Sequence, residues 1–474
     1  MKIVHLSAEC YPVAKVGGLG DVVGALPKYL KKSGADALVV MPCYDTPFVK
    51  NNKWEVVFEE VLSLGYNNYN FQILKESTDV LGFQLFSVRI FGLIEGPTVY
   101  QGPGDTERFI GFQRAVLKWM CTWDKPATIV HCHDHHTGLV PFMMYNCHEY
   151  AVLKNIPTVF TIHNGLYQGQ FDWSKNYLLP SYDVWKWGVL DWNKDINPMA
   201  AGIKCAWKFT TVSTGYLQEL MQQANGLEPL IRQEEPKTLG IINGIDTEVW
   251  NPETDKALEF TYTAANAGAK KAANKKELCK HFDLNPDLPL ISFIGRLVNE
   301  KGADLLPEAI VRSISELNGK VNFLVLGSGA DEIENKLNGI KNIAGGNFNC
   351  YIGYNENLSH QIYASSDFLI MPSRLEPCGL NQLYALRYGT IPMVNRVGGL
   401  KDTVIDYSIS NGFGITFDTA DVNEIVNAAK RAVNLFNNKE LFGKLQKQVM
   451  KIEHSWLQSA KTYMDLYKQL LDNE

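Results

Sequence analysis

The sequence predicts an α/β protein of two domains, each a parallel sheet with helices on both faces. Short runs rich in β-branched residues alternate with amphipathic helical stretches in the first half, and the same theme begins again near residue 290. Between the halves, Ile241-Ile242-Asn243-Gly244-Ile245-Asp246 and then Trp250-Asn251-Pro252 place an Asn-Gly pair and a proline where a hinge belongs. A chain of 474 residues is also too long for one comfortable core.

Taken in order, strands are expected at residues 2–6, 37–41, 83–90, 128–131, 158–162 and 209–212, apolar runs of the kind found where a strand is buried on both faces. Beyond the hinge, residues 264–276 are rich in Ala, Lys and Asn; a linker would have that composition, but a solvent-exposed helix suits it better. Strands follow at 290–294, 322–326, 368–371 and 391–394. From Ser455 through Trp456, Tyr463, Leu466 and Tyr467 to Leu471 the apolar spacing is helical, so a terminal helix should dock by one face.

Composition excludes several classes. At 46% hydrophobic and 20% charged, the chain reads as globular. A net charge of -6 gives no general pull towards nucleic acid or an acidic membrane surface. Nine cysteines, scattered and never spaced C-x-x-C, argue against a disulfide framework or a structural zinc and fit a reducing cytoplasm. The apolar start is broken by His5 and ends at Glu9, which suits a first strand rather than a signal peptide, and no run approaches the ~18 apolar residues of a membrane span.

Five motifs carry chemistry. Lys15-Val16-Gly17-Gly18-Leu19-Gly20-Asp21 sits between the first strand and a helical pattern, where backbone N–H groups, the helix dipole and the Lys15 charge can meet an anion. Gly18-x-Gly20-x-x-x-Gly24 comes within one residue of the dinucleotide fingerprint, but Met41-Pro42-Cys43 stands where the acidic residue should end the second strand, which argues against a nicotinamide or flavin enzyme. Val130-His131-Cys132-His133-Asp134-His135-His136 ends a strand; because strand residues alternate faces, a polar strand end with Asp134 exposed to a cleft is favoured over a metal site, with the histidines structural. Thr161-Ile162-His163-Asn164-Gly165 places His163 within reach of a reacting group. Gly295-Arg296-Leu297 through Lys301-Gly302 offers two cations suited to a pyrophosphate. Pro372-Ser373-Arg374-Leu375-Glu376-Pro377-Cys378-Gly379-Leu380-Asn381-Gln382 pairs a carboxylate with a glycine turn into a helix, a device that Gly398-Gly399-Leu400-Lys401-Asp402-Thr403 repeats. Trp173, Trp185, Trp187, Trp192 and Trp207 cluster near Tyr167 and Tyr177; such faces stack on sugars, though most are core.

Together these motifs resemble the bacterial glycogen synthase and plant starch synthase family along the whole chain, through Lys15 to Leu19, His163-Asn164, Asn243 to Asp246, Gly295 to Gly302 and Glu376 to Leu380. The resemblance implies the GT-B fold, two Rossmann-like domains facing a deep interdomain cleft. It sets an N-terminal acceptor-side domain at 1–245, a nucleotide-sugar domain at 246–454, and a terminal helix at 455–474 crossing back to the first domain. It also implies transfer of glucose from ADP-glucose, or UDP-glucose, to an α-1,4-glucan with retention of configuration, without cofactor or metal, no D-x-D motif being present.

By the same resemblance, Lys15, Arg296 and Lys301 hold the donor phosphates, Asp134 and His163 border the transferred glucose, Glu376 binds its hydroxyls or steadies positive charge, and Asn243 helps hold it. Gly17, Gly18, Asp21, Tyr354, Cys378, Gly379, Leu380, Asn381, Gly399 and Thr403 would complete the donor site, Tyr354 by stacking on the base. Glu9 and Tyr167 would lie on the acceptor side. Where many GT-B relatives carry a second glutamate eight positions after the first, this chain has Tyr384, which opens the question of the ribose contact. The alternatives are a transferase with another acceptor and a silent glucan-binding protein; the intact cations and Glu376 argue against the second.

Overall fold

The apolar runs of the first half become the strands of one nine-stranded sheet. In chain order these are β1 (Lys2–Leu6), β2 (Asp36–Pro42), β3 (Trp54–Leu64), β4 (Asn67–Glu76), β5 (Gln84–Ile90), β6 (Ile129–His133), β7 (Thr158–Ile162), the two-residue ribbon strands β8 (Asp191–Trp192) and β9 (Asp195–Ile196) outside the sheet, β10 (Lys208–Thr211) and β11 (Thr238–Gly240). The sheet order is β11-β10-β7-β6-β1-β2-β5-β4-β3. Pairing is parallel from β11 to β5, and β4 and β3 are antiparallel.

That antiparallel hairpin corrects the expectation of a purely parallel sheet. Its strands join through the two-residue turn Gly65-Tyr66, Gly65 at φ 60°, a conformation glycine reaches without strain. A register shift between Val56 and Phe58 breaks the alternation of β3. Much of β3 is exposed on both faces as well, so neither strand signature survives in the sequence.

The second half forms a six-stranded, wholly parallel sheet from β12 (Leu290–Ile294), β13 (Asn322–Gly327), β14 (Phe348–Ile352), β15 (Phe368–Met371), β16 (Ile391–Asn395) and β17 (Ile415–Phe417). Its order, β14-β13-β12-β15-β16-β17, is the doubly wound order 3-2-1-4-5-6 of a Rossmann sheet.

The structure, a computed structural model, describes residues 1–472, which divide into two units, Met1–Ile242 with the segment from Trp456, and Asn243–Ser455. The terminal helix Trp456–Asp472 buries Trp456, Ala460, Tyr463, Met464, Tyr467 and Leu470, one stripe at helical spacing. That stripe packs with Ile3, Val22, Leu26 and Leu30 of the first unit, and Ser459 Oγ donates to Ile242 O at 2.7 Å.

The helix Ala267–His281 forms where the Ala/Lys/Asn stretch predicts one, but it is not solvent-exposed along its length. Lys271 is buried and its Nζ donates to Tyr363 O, Ala364 O and Thr390 Oγ1 at 2.9–3.1 Å. Lys275, also buried, pairs with Asp367 at 2.7 Å. Two long side chains thus reach acceptors at the end of the helix Glu356–Ser365 and just before β15 and β16, which composition does not distinguish from a solvated face.

Candidate active site

Ligands of doubly wound sheets bind at the carboxyl ends of strands where the order reverses. In the first unit the reversal falls between β1 and β6, the strands that lead into the glycine-rich turn and Asp134. Glu9, just past β1, is buried. Its Oε2 accepts Val16 N–H at 2.6 Å and Gly17 N–H at 2.9 Å, and its Oε1 accepts the Tyr100 hydroxyl at 2.7 Å. One oxygen therefore holds the turn in shape while Tyr100 anchors the other. The helix Gly18–Lys32 then starts without a side-chain cap, aiming its first N–H groups and dipole at the turn. A Cβ on Gly24 would lie 2.4 Å from Tyr11 O, whereas one on Gly17 or Gly18 would meet nothing within 4 Å. Packing accounts for Gly24; the other two leave open space before the helix. Lys15 Nζ bonds Asp21 Oδ1 at 2.6 Å, both side chains partly exposed.

Asp134 differs from expectation. It is 6% exposed, takes φ 55°, and its Oδ1 accepts the backbone N–H of His163 at 2.7 Å and of Asn164 at 3.4 Å. Positive φ at a non-glycine residue is strained, and here the strain turns a carboxylate onto the loop leaving β7. Burial pushes its carboxyl up to about 7, with the two N–H bonds opposing. Tyr167, farther along that loop, is exposed.

Beneath this loop lies a buried imidazole cluster. His5 and His131 are opposite one another in the β1–β6 pairing, and His133 shares their face. His5 Nδ1 lies 3.0 Å from His133 Nε2, and His133 Nδ1 lies 2.9 Å from His163 Nε2. His131 bonds the Tyr467 hydroxyl at 2.7 Å and Thr161 Oγ1 at 2.6 Å. Ring nitrogens of His5, His131 and His133 approach within 4.8 Å of one another, a spacing a metal ion could use. However, both nitrogens of His131 and of His133 already serve hydrogen bonds, so an ion would have to displace them. Burial holds His5 and His163 down to about 3 and His131 and His133 well below the usual imidazole range.

In the second unit the order reverses between β12 and β15, and the loops after them carry Arg296, Lys301 and Glu376. Lys301 Nζ lies 2.7 Å from both oxygens of buried Glu376, and Ser373 Oγ adds a bond at 3.0 Å. The two loops are laced: Arg374 N donates to Glu300 O at 2.8 Å, and Gly302, at φ 66°, approaches so closely that a Cβ would stand 2.1 Å from Pro372 O. Glycine is obligatory there on both counts. Asn381 Nδ2 donates to Ile294 O at 2.6 Å, joining the helix that follows Leu380 to the end of β12.

Gly399 N donates to Glu376 O at 3.0 Å, with Cys378 O 2.1 Å from where its Cβ would be. Asn243 N donates to Cys378 Sγ at 3.4 Å, and Thr403 Oγ1 donates to Gly399 O at 2.6 Å while receiving Gln382 Nε2, which also reaches Cys378 O and Gly379 O. Burial pushes the Cys378 thiol up to about 12, so it packs rather than reacts. Lys301, Glu376, Asn243, Cys378, Gly379, Gly399 and Thr403 therefore belong to one knot. Arg296, with its side chain 61% exposed beside Glu300, and Tyr354, 79% exposed after β14, stand out from it.

Of the tryptophans, Trp185, Trp187 and Trp207 are exposed, and Trp173 and Trp187 with Asp191 and Lys194 line a cavity of about 520 Å³.

Residues 2–233 match the starch synthase catalytic domain family, and residues 274–448 match glycosyl transferases group 1. A glycogen synthase of Flavobacterium johnsoniae is 50% identical over 474 residues, all of both chains. The chain belongs to the glycogen and starch synthase family. A glycogen synthase of Bacillus cereus is 37% identical over 482 residues and again spans both chains fully. The solved catalytic domain of starch synthase IV from Arabidopsis thaliana, bound to ADP and acarbose, aligns with TM-score 0.87 and 32% identity over 99% of each chain. Sucrose-phosphate synthase from Thermosynechococcus elongatus, 17% identical with TM-score 0.64, shares the fold. The fold class is GT-B, and family membership makes the protein a glycosyltransferase acting between a nucleotide-sugar donor and a glucan acceptor.

Sequence reading missed several residues that hold these two candidate sites in shape. Tyr100 anchors Glu9 from 91 positions away. Asn395 Nδ2 donates to Ser373 O at 2.8 Å; Gln382 stands inside the fifth motif, but nothing in its sequence shows that it bridges two glycine turns. His5 alone left a signal, a polar residue inside an apolar first strand.

Proposed function

We propose that the protein transfers glucose from ADP-glucose to the terminal 4-hydroxyl of an α-1,4-glucan in the cytoplasm, releasing ADP and retaining configuration at C1. The observation that carries this reading is the Lys301–Glu376 pair, a buried carboxylate and an ammonium at the ends of β12 and β15. Departure of a nucleoside diphosphate builds charge on the phosphate oxygen, and a cation fixed beforehand stabilises that charge without reorganisation. ADP in the starch synthase IV structure favours adenine over uracil in the donor.

In this mechanism Lys15, Arg296 and Lys301 hold the phosphates, with the N–H group at Gly18 and the turns at Gly17, Gly399 and Thr403 beside them. Asp21 orients Lys15. Glu376 receives the hydroxyls of the transferred sugar and opposes the positive charge that grows at C1, while Asn243, Cys378, Gly379, Leu380 and Asn381 shape its pocket. Tyr354 stacks on the base. Asp134 sets the loop that brings His163 to the sugar. Tyr167, and Glu9 through the turn it holds, lie on the acceptor side. The acceptor hydroxyl attacks on the face the nucleotide leaves and gives its proton to the departing phosphate.

The test is release of nucleoside diphosphate by the purified protein from ADP-glucose and, separately, UDP-glucose, with and without glycogen, beside Glu376→Ala. Glycogen-dependent ADP release that the variant loses is the expected result. Release from UDP-glucose alone would overturn the donor, and glycogen-independent transfer to a small sugar would overturn the acceptor.

A further inference from the structure

The histidines behind the loop after β7 have more order than a structural role requires. His5, His133 and His163 form a linear chain with two links, Nδ1 to Nε2 at 3.0 Å and Nδ1 to Nε2 at 2.9 Å, both in the same sense. Its far end, His5 Nε2, is buried and has no hydrogen-bond partner among the described residues. Its near end is His163 Nδ1, on a ring that keeps 7% exposure while His5 and His133 keep none.

Three neutral imidazoles carry three N–H protons, and two links consume two of them. Neutral His133 has one proton, so it donates through one nitrogen and accepts through the other, and the whole chain must point one way. Pointing inwards, every ring is protonated at Nε2 and the third N–H is stranded at His5 in the apolar interior. Pointing outwards, every ring is protonated at Nδ1, the interior keeps only a bare lone pair, and the third N–H sits on His163, where water or a ligand can accept it. An orphaned buried donor is the rarer and costlier outcome, so the outward polarity is favoured.

We propose that His133, backed by His5, is a positioning residue that locks His163 as its Nδ1–H tautomer and so presents a hydrogen-bond donor, not a base, to the transferred sugar. This rests on the reading that His163 borders that sugar. It also accounts for the acceptor proton going to the departing phosphate, since the one ring nitrogen left on His163 is already protonated. His131 takes no part, because both its nitrogens are held by Tyr467 and Thr161.

The test is a long-range proton–nitrogen correlation spectrum of the full chain labelled with 15N-histidine, the His163 signals being assigned by their loss in His163→Ala. His163 should show a protonated Nδ1 and a bare Nε2; the reverse pattern overturns the proposal, and the tautomer itself is read on the unaltered chain. Kinetics give the second arm. His133→Leu removes the donor to His163 Nε2 and should lower kcat about tenfold at unchanged KM for the donor sugar. His133→Asn, whose amide nitrogen can occupy the place of Nδ1, should restore most of it. Leucine and wild type turning over alike would overturn the positioning role. Should His163→Ala turn over normally while the wild-type spectrum shows protonated Nδ1, the fault lies in placing His163 at the sugar rather than in the chain.

Discussion

Lys301→Ala and Lys275→Ala make a matched pair of perturbations within the second unit. Each removes an ammonium lying 2.7 Å from a buried carboxylate, Glu376 in one case and Asp367 in the other. Breaking a buried pair on one side strands the other charge, at a cost of about 3–5 kcal/mol, and each variant should lower the melting temperature by roughly 10 °C. Ser373 Oγ still bonds Glu376, and Leu290 N still bonds Asp367, which keeps both costs towards the lower end. The two should part in turnover. At a temperature where circular dichroism shows both folded, Lys301→Ala should lose about 10²–10³ in kcat, while Lys275→Ala, whose partner ties a helix to the start of β12, should stay within about threefold of wild type. Adding Glu376→Gln to Lys301→Ala should recover stability and no activity. Equal activity losses in the two single variants, both folded, would refute the reasoning, because instability would then explain everything assigned to chemistry.

Acid should unfold the first unit steeply. His5 and His163 are held at about 3 and His135 at about 4, with His131, His133 and His136 well below 6.5, all by burial. Unfolded imidazoles take up protons that the folded ones refuse, so stability is lost as pH falls from about 6.5 towards 3, by up to ~1.4 kcal/mol per pH unit for each group; a urea midpoint flat between pH 6.5 and 5 would contradict this. Gly302→Ala should cost about 2–4 kcal/mol through its φ and the clash with Pro372, against about 1 kcal/mol for Gly34→Ala, whose φ is also positive but whose surroundings are open; equal urea midpoints would refute it. Trp185→Ala with Trp187→Ala should raise half-saturating glycogen roughly fivefold per ring, from about 1 kcal/mol of stacking each, and leave maltose-length acceptors unaffected; an unchanged glycogen curve would make those rings mere surface.

The parallel strands were legible because a strand buried on both faces is a short run dominated by apolar and β-branched residues, as in Leu290–Ile294 and Thr158–Ile162. The β3–β4 hairpin was not, since its bulge at Val56 to Phe58 and its exposed faces erase the alternation. Neither β14 nor β17 was foreseen: the first is interrupted by Asn349, and the second has three residues. The glycine turns could be found because a strand, a glycine and a helix leave a local pattern. The partners that hold those turns could not: Tyr100 on Glu9, Asn395 on Ser373 and His5 on His133 meet only through sheet register and tertiary packing. Asp134 was expected at the surface because nothing local announces that a strained φ will fold its carboxylate back over the next loop.

The docking of the helix from Trp456 onto the first unit carries a consequence for biosynthesis. The patch around Val22, Leu26 and Leu30 that this helix covers leaves the ribosome early, while its cover is translated only after the whole of the second unit. At typical elongation rates that interval is roughly 10–40 s, during which a nascent apolar face stands uncovered and a chaperone has time to bind it. A ribosome that stalls inside the second unit would leave that face open for good, marking the fragment for proteolysis, whereas one that reaches Leu470 completes the earlier-made unit with residues made after the second.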